Sequence, residues 1–261
     1  MYPVINIFGL ELQSYSIIAA IGFIITAVTA VSISNYRNIP ADKSLMATLC
    51  SAFGIIIGGH LLFAITNLKY IVKEISDADF TFSEILPYIS GMVFYGGLFG
   101  AIASVFIYTS VNKELVRKDL FDVFAVAVPL FHTFGRIGCF FAGCCYGVES
   151  NFGITSYLNT SATHYGVSRF PVQLFEALAN LLIFILLIYF YKRNKFKGSL
   201  IFIYLSVYAV CRFILEYFRG DKIRGFIFGF STSQLISLLI IAFLLICLAV
   251  KLIKKRTKPE T

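Results

Sequence analysis

The chain is short of charge. Of its 261 residues only 14% are Asp, Glu, Lys or Arg, against roughly a quarter in an ordinary soluble domain. A soluble fold is thereby excluded, because too little polar surface remains to cover one or two domains. Tryptophan is absent, proline occurs six times and glycine 19 times, which excludes collagen-like and proline-rich disordered chains. Six scattered cysteines do not make a disulfide scaffold. Connectors rich in Pro, Gly or Ser are missing too, so one integral membrane domain over residues 1–261 is expected. Internal repeats of the kind that mark many transporters are not visible.

What the chain does have is apolar residues, 58% of the total, and a mean hydropathy of +0.83. They gather in seven blocks of about the 20 residues that a helix needs to cross a bilayer: Tyr15–Ser34, Leu45–Thr66, Ser90–Ser110, Leu120–Phe141, Phe170–Tyr191, Ser199–Phe218 and Ser231–Lys251. The expected fold is all-α and polytopic, with about seven transmembrane helices. Met1–Ser14 holds one acid, Glu11, and no basic residue, so the first block reads as a retained span and not a signal peptide.

The formal net charge of +8 invites a nucleic-acid reading, and its distribution answers it. Fourteen of the 22 basic residues, from Arg37 and Lys43 to the tail after Lys251, sit in one alternate set of segments. Six sit in the other set: Lys69, Lys73, Arg169, Arg219, Lys222 and Arg224. The positive-inside rule then puts the N-terminus outside and the C-terminus in the cytoplasm. The basic excess is a topology signal with attraction to anionic headgroups, and no nucleic acid is implied. The long connectors Asn67–Ile89 and Gly143–Arg169 face outward on this reading. The first carries Glu74, Asp77, Asp79 and Glu84 and reads as a solvated loop or short interfacial helix.

Two basic residues, Arg136 and Arg212, fall inside spans, where charge is costly and usually functional. At 1.5 Å per residue, Arg136 lies roughly 24 Å from Leu120, Arg212 about 20 Å from Ser199 and His60 about 22 Å from Leu45. Tyr15, Tyr95, Gln173, Glu176 and Gln234 fall in the first two turns of spans entering from the other side. All of them land in the outer third of the membrane, as if around a polar chamber. Blander roles exist for each. Arg212 and Glu216 stand at i, i+4 and can form a structural bridge; the tyrosines suit an interfacial belt. His60 and His132 suit helix-packing hydrogen bonds, and Gly54, Gly58, Gly96, Gly97 and Gly100 suit close helix approach. For the arginines the balance reverses, since membrane carboxylates look too few to satisfy both plus Arg219. A phosphate matches the guanidinium fork.

The densest stretch runs His132-Thr-Phe-Gly-Arg-Ile-Gly-Cys-Phe-Phe-Ala-Gly-Cys-Cys-Tyr-Gly147. Gly138, Gly143 and Gly147 around Arg136 bring backbone N–H groups near whatever it binds. Cys139, Cys144 and Cys145 with His132 invite a metal reading, but adjacent cysteines fit tetrahedral zinc spacing poorly. No metal is expected; a disulfide at the outer face or small packing residues is. Cys50, Cys211 and Cys247 lie inside spans and read as inert. Downstream come Arg169-Phe-Pro-Val-Gln-Leu-Phe-Glu176, Tyr208-Ala-Val-Cys-Arg-Phe-Ile-Leu-Glu-Tyr-Phe-Arg-Gly-Asp221 and Ser231-Thr-Ser-Gln-Leu-Ile-Ser237; upstream, Gly91-Met-Val-Phe-Tyr-Gly-Gly97 and Tyr15. In this order and spacing, from about Tyr15 to Ser237, the set resembles the prolipoprotein diacylglyceryl transferase family of bacteria.

The resemblance implies a multi-pass inner-membrane enzyme. It moves a diacylglyceryl group from phosphatidylglycerol to the lipobox cysteine of a prolipoprotein signal peptide, leaving a thioether and glycerol phosphate, with no cofactor. By resemblance Arg136 binds the headgroup, Arg212 and Glu216 match an Arg-x-x-x-Glu pair, Tyr15 a first-span tyrosine, and Gln173 and Glu176 a Pro-x-Gln-Leu-x-Glu. The catalytic set expected is Arg136, Arg212, Tyr95 and Glu216. Tyr15, Gly96, Gly97, Gly138, Gly143, Gly147, Gln173, Glu176 and Arg219 are expected to bind substrate. Three positions depart from the pattern. Tyr95 stands where the best-known members carry His before Gly-Gly, Cys139 where Asn usually follows Gly-Arg-x-Gly, and the Cys144-Cys145 run where a carboxylate often sits.

The proton-handling group is therefore open. Tyrosine, with a pKa near 10, is poorly poised to deprotonate a thiol: Tyr95 serves as a phenolate base only if nearby arginines lower its pKa, and otherwise it orients the headgroup while His60, His132, Glu176 or Glu216 takes the proton. Two rivals remain at this stage. One is a paralogue with the same lipid site and a different acceptor; the other is a lipid or solute transporter, against which the nearly charge-free cytoplasmic third speaks.

Overall fold

A computed structural model describes residues 2–7, 9–76, 80–155, 166–221, 226–227 and 229–256. Its helices run in the order α1 (Ser14–Ser34), α2 (Ala41–Thr66), α3 (Leu68–Ile75), α4 (Phe82–Ile89), α5 (Phe94–Val111), α6 (Arg117–Ala142), α7 (Val172–Lys192), α8 (Leu200–Leu215) and α9 (Thr232–Arg256). Each of the seven apolar blocks coincides with one of them. Six are long and apolar enough to cross a membrane, and α5 is shorter. The shortening has a cause. Val93 is extended and its N–H donates to the Gly59 carbonyl of α2 at 3.1 Å, so the chain from Ser90 stays out of the helix until Phe94.

The acidic connector forms the two short helices α3 and α4, neither with a buried residue. A capping box of Thr81 and Glu84 starts α4, satisfying two helix N-terminal donors, and Tyr70 stacks on Tyr88 at 5.5 Å. Asp77 and Asp79 lie outside the described residues, as do Lys222, Arg224 and Lys258. Three small antiparallel hairpins, unmarked by any alternation in the sequence, pair Val4–Ile7 with Leu10–Gln13, Glu149–Thr155 with Ser168–Arg169, and Phe226–Ile227 with Phe230–Ser231.

The chain forms two compact units, Met1–Thr29 with Phe121–Thr261, and Ala30–Leu120. No linker marks the division, which falls within α1 and α6. In the second unit α2 and α5 cross on facing Gly-x-x-x-Gly motifs, Gly54/Gly58 against Gly96/Gly100. A Cβ on Gly100 would sit 2.0 Å from the Gly54 carbonyl oxygen, and one on Gly96 2.2 Å from that of Gly58. In lipid there is no hydrophobic drive between helices, so close backbone packing of this kind carries the association. In the first unit, the buried Asp122 of α6 accepts the N–H groups of Gly198 and Leu200, the latter at 3.0 Å. It satisfies donors at the start of α8 and opposes its positive dipole end.

Candidate active site

Glu176, one turn into α7 and 2% exposed, is the centre of the first unit's polar cluster. Its Oε1 lies 2.9 Å from Nη2 of Arg136 on α6, and its Oε2 3.1 Å from Nη1 of Arg212 on α8. The Tyr208 hydroxyl donates to Oε1 at 3.2 Å. Arg212 continues to Glu216 at 2.6 Å and donates to the Ser233 hydroxyl of α9 at 3.0 Å. Arg136 turns its Nε toward His132 Nε2 at 3.3 Å. Helical spacing puts these side chains together: 132 and 136 on α6, 208 and 212 on α8 are all i, i+4 pairs.

The expectation that carboxylates are too few is corrected here. Glu176 serves two arginines, Glu216 takes the second side of Arg212, and Asp221 grips Arg219 with both oxygens at 2.9 and 2.7 Å. Three acids meet three guanidiniums, and buried charges are tolerable only when so paired. Both terminal nitrogens of Arg212 are engaged by its neighbours. Arg136 engages Glu176 through Nη2 and His132 through Nε, so its Nη1 end is taken by neither.

Beyond Arg136 the helix stops in a Schellman motif. Gly143 has φ +74°, its N–H donates to the Phe140 carbonyl at 3.2 Å, and the Cys144 N–H to the Cys139 carbonyl at 3.1 Å. Glycine is the residue that adopts this left-handed turn without strain. The motif folds Cys144 back over Cys139, and Cys145, itself at φ +58°, turns its side chain to the same point. All three sulfurs lie within 4.8 Å of one another, an arrangement that spacing alone did not reveal because it depends on two reversals of backbone handedness, at Gly143 and Cys145. None of the six cysteines is in a disulfide, so of the two roles expected for the outer cysteines the bridge does not form. Hydrogen bonds from Cys139 and Cys144, helped by Arg219 and Arg136, hold the Cys145 thiol well below the ordinary thiol range.

Several residues expected to bind substrate also build this loop. Gln173, fully buried, donates to the Cys144 carbonyl at 2.8 Å. Gly147 lies where three strands of backbone cross, and a Cβ there would be 2.2 Å from the Phe170 carbonyl oxygen. It bridges to Arg219, while Gly220 N–H donates to the Tyr146 carbonyl at 3.0 Å. Tyr15 opens α1 and packs on Gly138, where a Cβ would meet its ring at 3.0 Å. Tyr95, Gly96 and Gly97 belong to the second unit. There Gly96 is committed to the α2–α5 crossing, Gly97 faces Ile55, and Tyr95 is 40% exposed at the start of α5. His60 ties down the segment before α5, its ring nitrogen Nδ1 donating to the Gly91 carbonyl at 2.9 Å.

Comparison with known proteins identifies the family. Residues 3–250 match the family model described as prolipoprotein diacylglyceryl transferase. The chain belongs to that family. It is similar to phosphatidylglycerol–prolipoprotein diacylglyceryl transferase 2 of Clostridium perfringens, 32% identical over 238 residues, 90% of each chain. The corresponding transferase of Clostridium tetani is 32% identical over 241 residues, covering 91% of this chain and 93% of the relative. That of Finegoldia magna is 30% identical over 239 residues, 90% of each. This family member is thus a multi-pass bacterial membrane enzyme.

Sequence reasoning missed the roles of Tyr208 and Ser233 and left His132 between a packing residue and a base. A polar residue four positions from each intramembrane arginine was the available signal.

Proposed function

We propose that this protein transfers the diacylglyceryl group of phosphatidylglycerol to the lipobox cysteine of a prolipoprotein, with Arg136 on the lipid phosphate. The observation that carries the reading is the shared carboxylate: Glu176 fixes Arg136 and Arg212 while one end of the Arg136 fork stays clear of both Glu176 and His132. In the reaction the acceptor sulfur attacks the glycerol carbon bearing the phosphate ester. A C–S bond forms, the C–O bond breaks, and its electron pair leaves on glycerol phosphate. Preorganised guanidinium donors in a water-poor site stabilise the charge gathering there. Arg136 is the group that touches the phosphate. Arg212, Glu216, Tyr208 and Ser233 are positioning residues, acting through Glu176.

The thiol proton is the demand this cluster leaves open, since the thiolate is the nucleophile. Glu176 and Glu216 are ion-paired, and the acceptor nitrogen of His132 faces Arg136. The charge asymmetry of the connectors supports a site opening to the outer leaflet. A cysteine placed at Ser83 should then react with a membrane-impermeant reagent in intact cells, and one at Lys195 should not; the reverse labelling overturns this orientation.

The deciding experiment incubates the purified protein with labelled phosphatidylglycerol and a lipobox peptide. Label appearing on the peptide as a thioether supports the proposal. Label released as diacylglyceryl product without peptide modification points to another acceptor, the reading that Tyr95 in place of histidine favours. No turnover of the lipid overturns both.

A further inference from the structure

The Cys139, Cys144 and Cys145 trio is given no part in the transfer proposed above. Its construction argues for a site of its own. A non-glycine residue held at positive φ is an uncommon backbone state, kept where surroundings over-determine it. Cys145 is held so at +58°, beside a Schellman turn that already brings Cys139 and Cys144 together. The turn is further fixed by the Gln173 bond to the Cys144 carbonyl and by Arg169, which donates to the Gly147 carbonyl at 3.3 Å and lies over the Tyr146 ring. Cys144 is exposed, while Cys139 and Cys145 are half-buried, so the trio opens on one side.

We propose that these three sulfurs bind a thiophilic divalent cation, zinc being the fitting one, and leave a fourth position for the acceptor thiol. Zinc–thiolate bonds of about 2.3 Å in tetrahedral geometry place sulfurs roughly 3.8 Å apart. The observed separations, none above 4.8 Å, need to close by no more than about 1 Å to meet it. Three thiolates around a divalent ion carry a net charge of −1, which the Arg136 and Arg219 guanidiniums beside the trio complement. Three protein ligands with an open position is the arrangement of a catalytic and not a structural zinc site.

The role of that fourth position rests on the transferase reading. A thiol that coordinates zinc is deprotonated outright, which answers the demand the arginine cluster leaves open. The acceptor S–H gives its proton to water at the exposed side, and the sulfur binds the metal as thiolate. It then attacks the glycerol carbon, the C–O bond breaks toward the phosphate, and the thioether product, a weak ligand, leaves. The zinc neither gains nor loses electrons.

The test uses the full chain in detergent, reduced and metal-free, titrated with cobalt(II) as a spectroscopic stand-in for zinc. The expected result is one cobalt per chain with intense tetrahedral d–d bands and a thiolate-to-cobalt charge-transfer band. The band should be lost in C139S/C144S/C145S and weakened at least tenfold in apparent affinity in each single variant. C50S/C211S/C247S controls for the three span cysteines and should keep it. Adding a lipobox peptide should shift the spectrum, and the same peptide with serine for cysteine should not. A reduced parent without the charge-transfer band overturns the site, as does an undiminished band in a triple variant that melts like the parent. A disulfide among the three in protein taken directly from membranes also counts against it. A spectrum indifferent to the cysteine peptide overturns the open position. Transfer is read separately: a hundred-fold loss on chelation, restored by zinc, supports activation, and unchanged transfer overturns it while leaving the transferase reading intact. If parent protein transfers nothing with or without zinc, the transferase reading fails and with it the activation role, while the cobalt spectrum still decides the site.

Discussion

The two units of this protein put the same residue type to opposite uses. In the second, Gly54, Gly58, Gly96 and Gly100 let α2 and α5 touch backbone to backbone, with no charged side chain at the crossing. In the first, Gly143 reverses the chain at the end of α6 and Gly147 lets strands cross, and both adjoin a cluster of three arginines and three acids. Glycine in a membrane helix is therefore ambiguous until its neighbours are known. Repeated every fourth residue among apolar groups it marks a seam. Placed just past a helix end, next to cysteine and arginine, it marks a built loop.

If that contrast is right, the largest functional effects belong to the first unit. Arg136→Ala should abolish transfer, and Arg136→Lys should restore little, because an ammonium cannot reproduce the bidentate fork. Full activity in the lysine variant would remove the phosphate-holding role. Glu176→Gln tests the other half of the cluster. Removing one partner of a buried ion pair costs about 3–5 kcal/mol, and here one carboxylate serves two guanidiniums. The variant should melt well below the parent in detergent and lose transfer even at temperatures where it stays folded. An unchanged melting curve would mean that Arg212 and Arg136 do not depend on Glu176.

The seven apolar blocks were legible because bilayer thickness sets helix length, and composition alone reports it. The intramembrane arginines were legible because a charge in hydrocarbon demands a reason. Their partners were harder to read. Glu176 reaches Arg136 and Arg212 from a third helix, and no spacing within one helix encodes a contact between three. Gln173 reads as a binding residue because it is polar in a span, and its hydrogen bond to the Cys144 carbonyl was not legible, since it joins α7 to a loop 29 residues earlier. The cysteine trio was hidden because adjacent residues were assumed to point apart, as they do in regular structure. The small hairpins had no signal either, with two-residue strands too short to show alternation.

The seam can be broken directly. Gly58→Leu drives a side chain into the Gly96 carbonyl, where even a Cβ already falls at 2.2 Å. Overpacking on this scale costs on the order of 3 kcal/mol, and the expected readout is a lowered melting temperature and poor yield. Gly97→Ala, whose Cβ would meet Ile55 at 3.3 Å, should be tolerated far better. Equal damage from both would mean that position 97 is also constrained.

Tyr95 tests whether the second unit contributes chemistry at all. It opens α5 one residue before the seam begins, partly exposed, and stands where histidine is expected. Were its phenolate the base, Tyr95→Phe would remove nearly all turnover at every pH. An orienting hydroxyl loses only one hydrogen bond to a charged group, about 1.5–3 kcal/mol, which is about ten- to a hundred-fold in rate. The orienting role is the expected one, because a phenol with a pKa near 10 is almost wholly protonated at neutral pH. Tyr95→His should then transfer at least as well as the parent to a lipobox peptide. The measurement is the pH–rate profile of parent, Tyr95→Phe and Tyr95→His with one lipid and one peptide. A phenylalanine variant dead throughout would make Tyr95 the base; a ten- to hundred-fold loss with an unchanged profile makes it an orienting group.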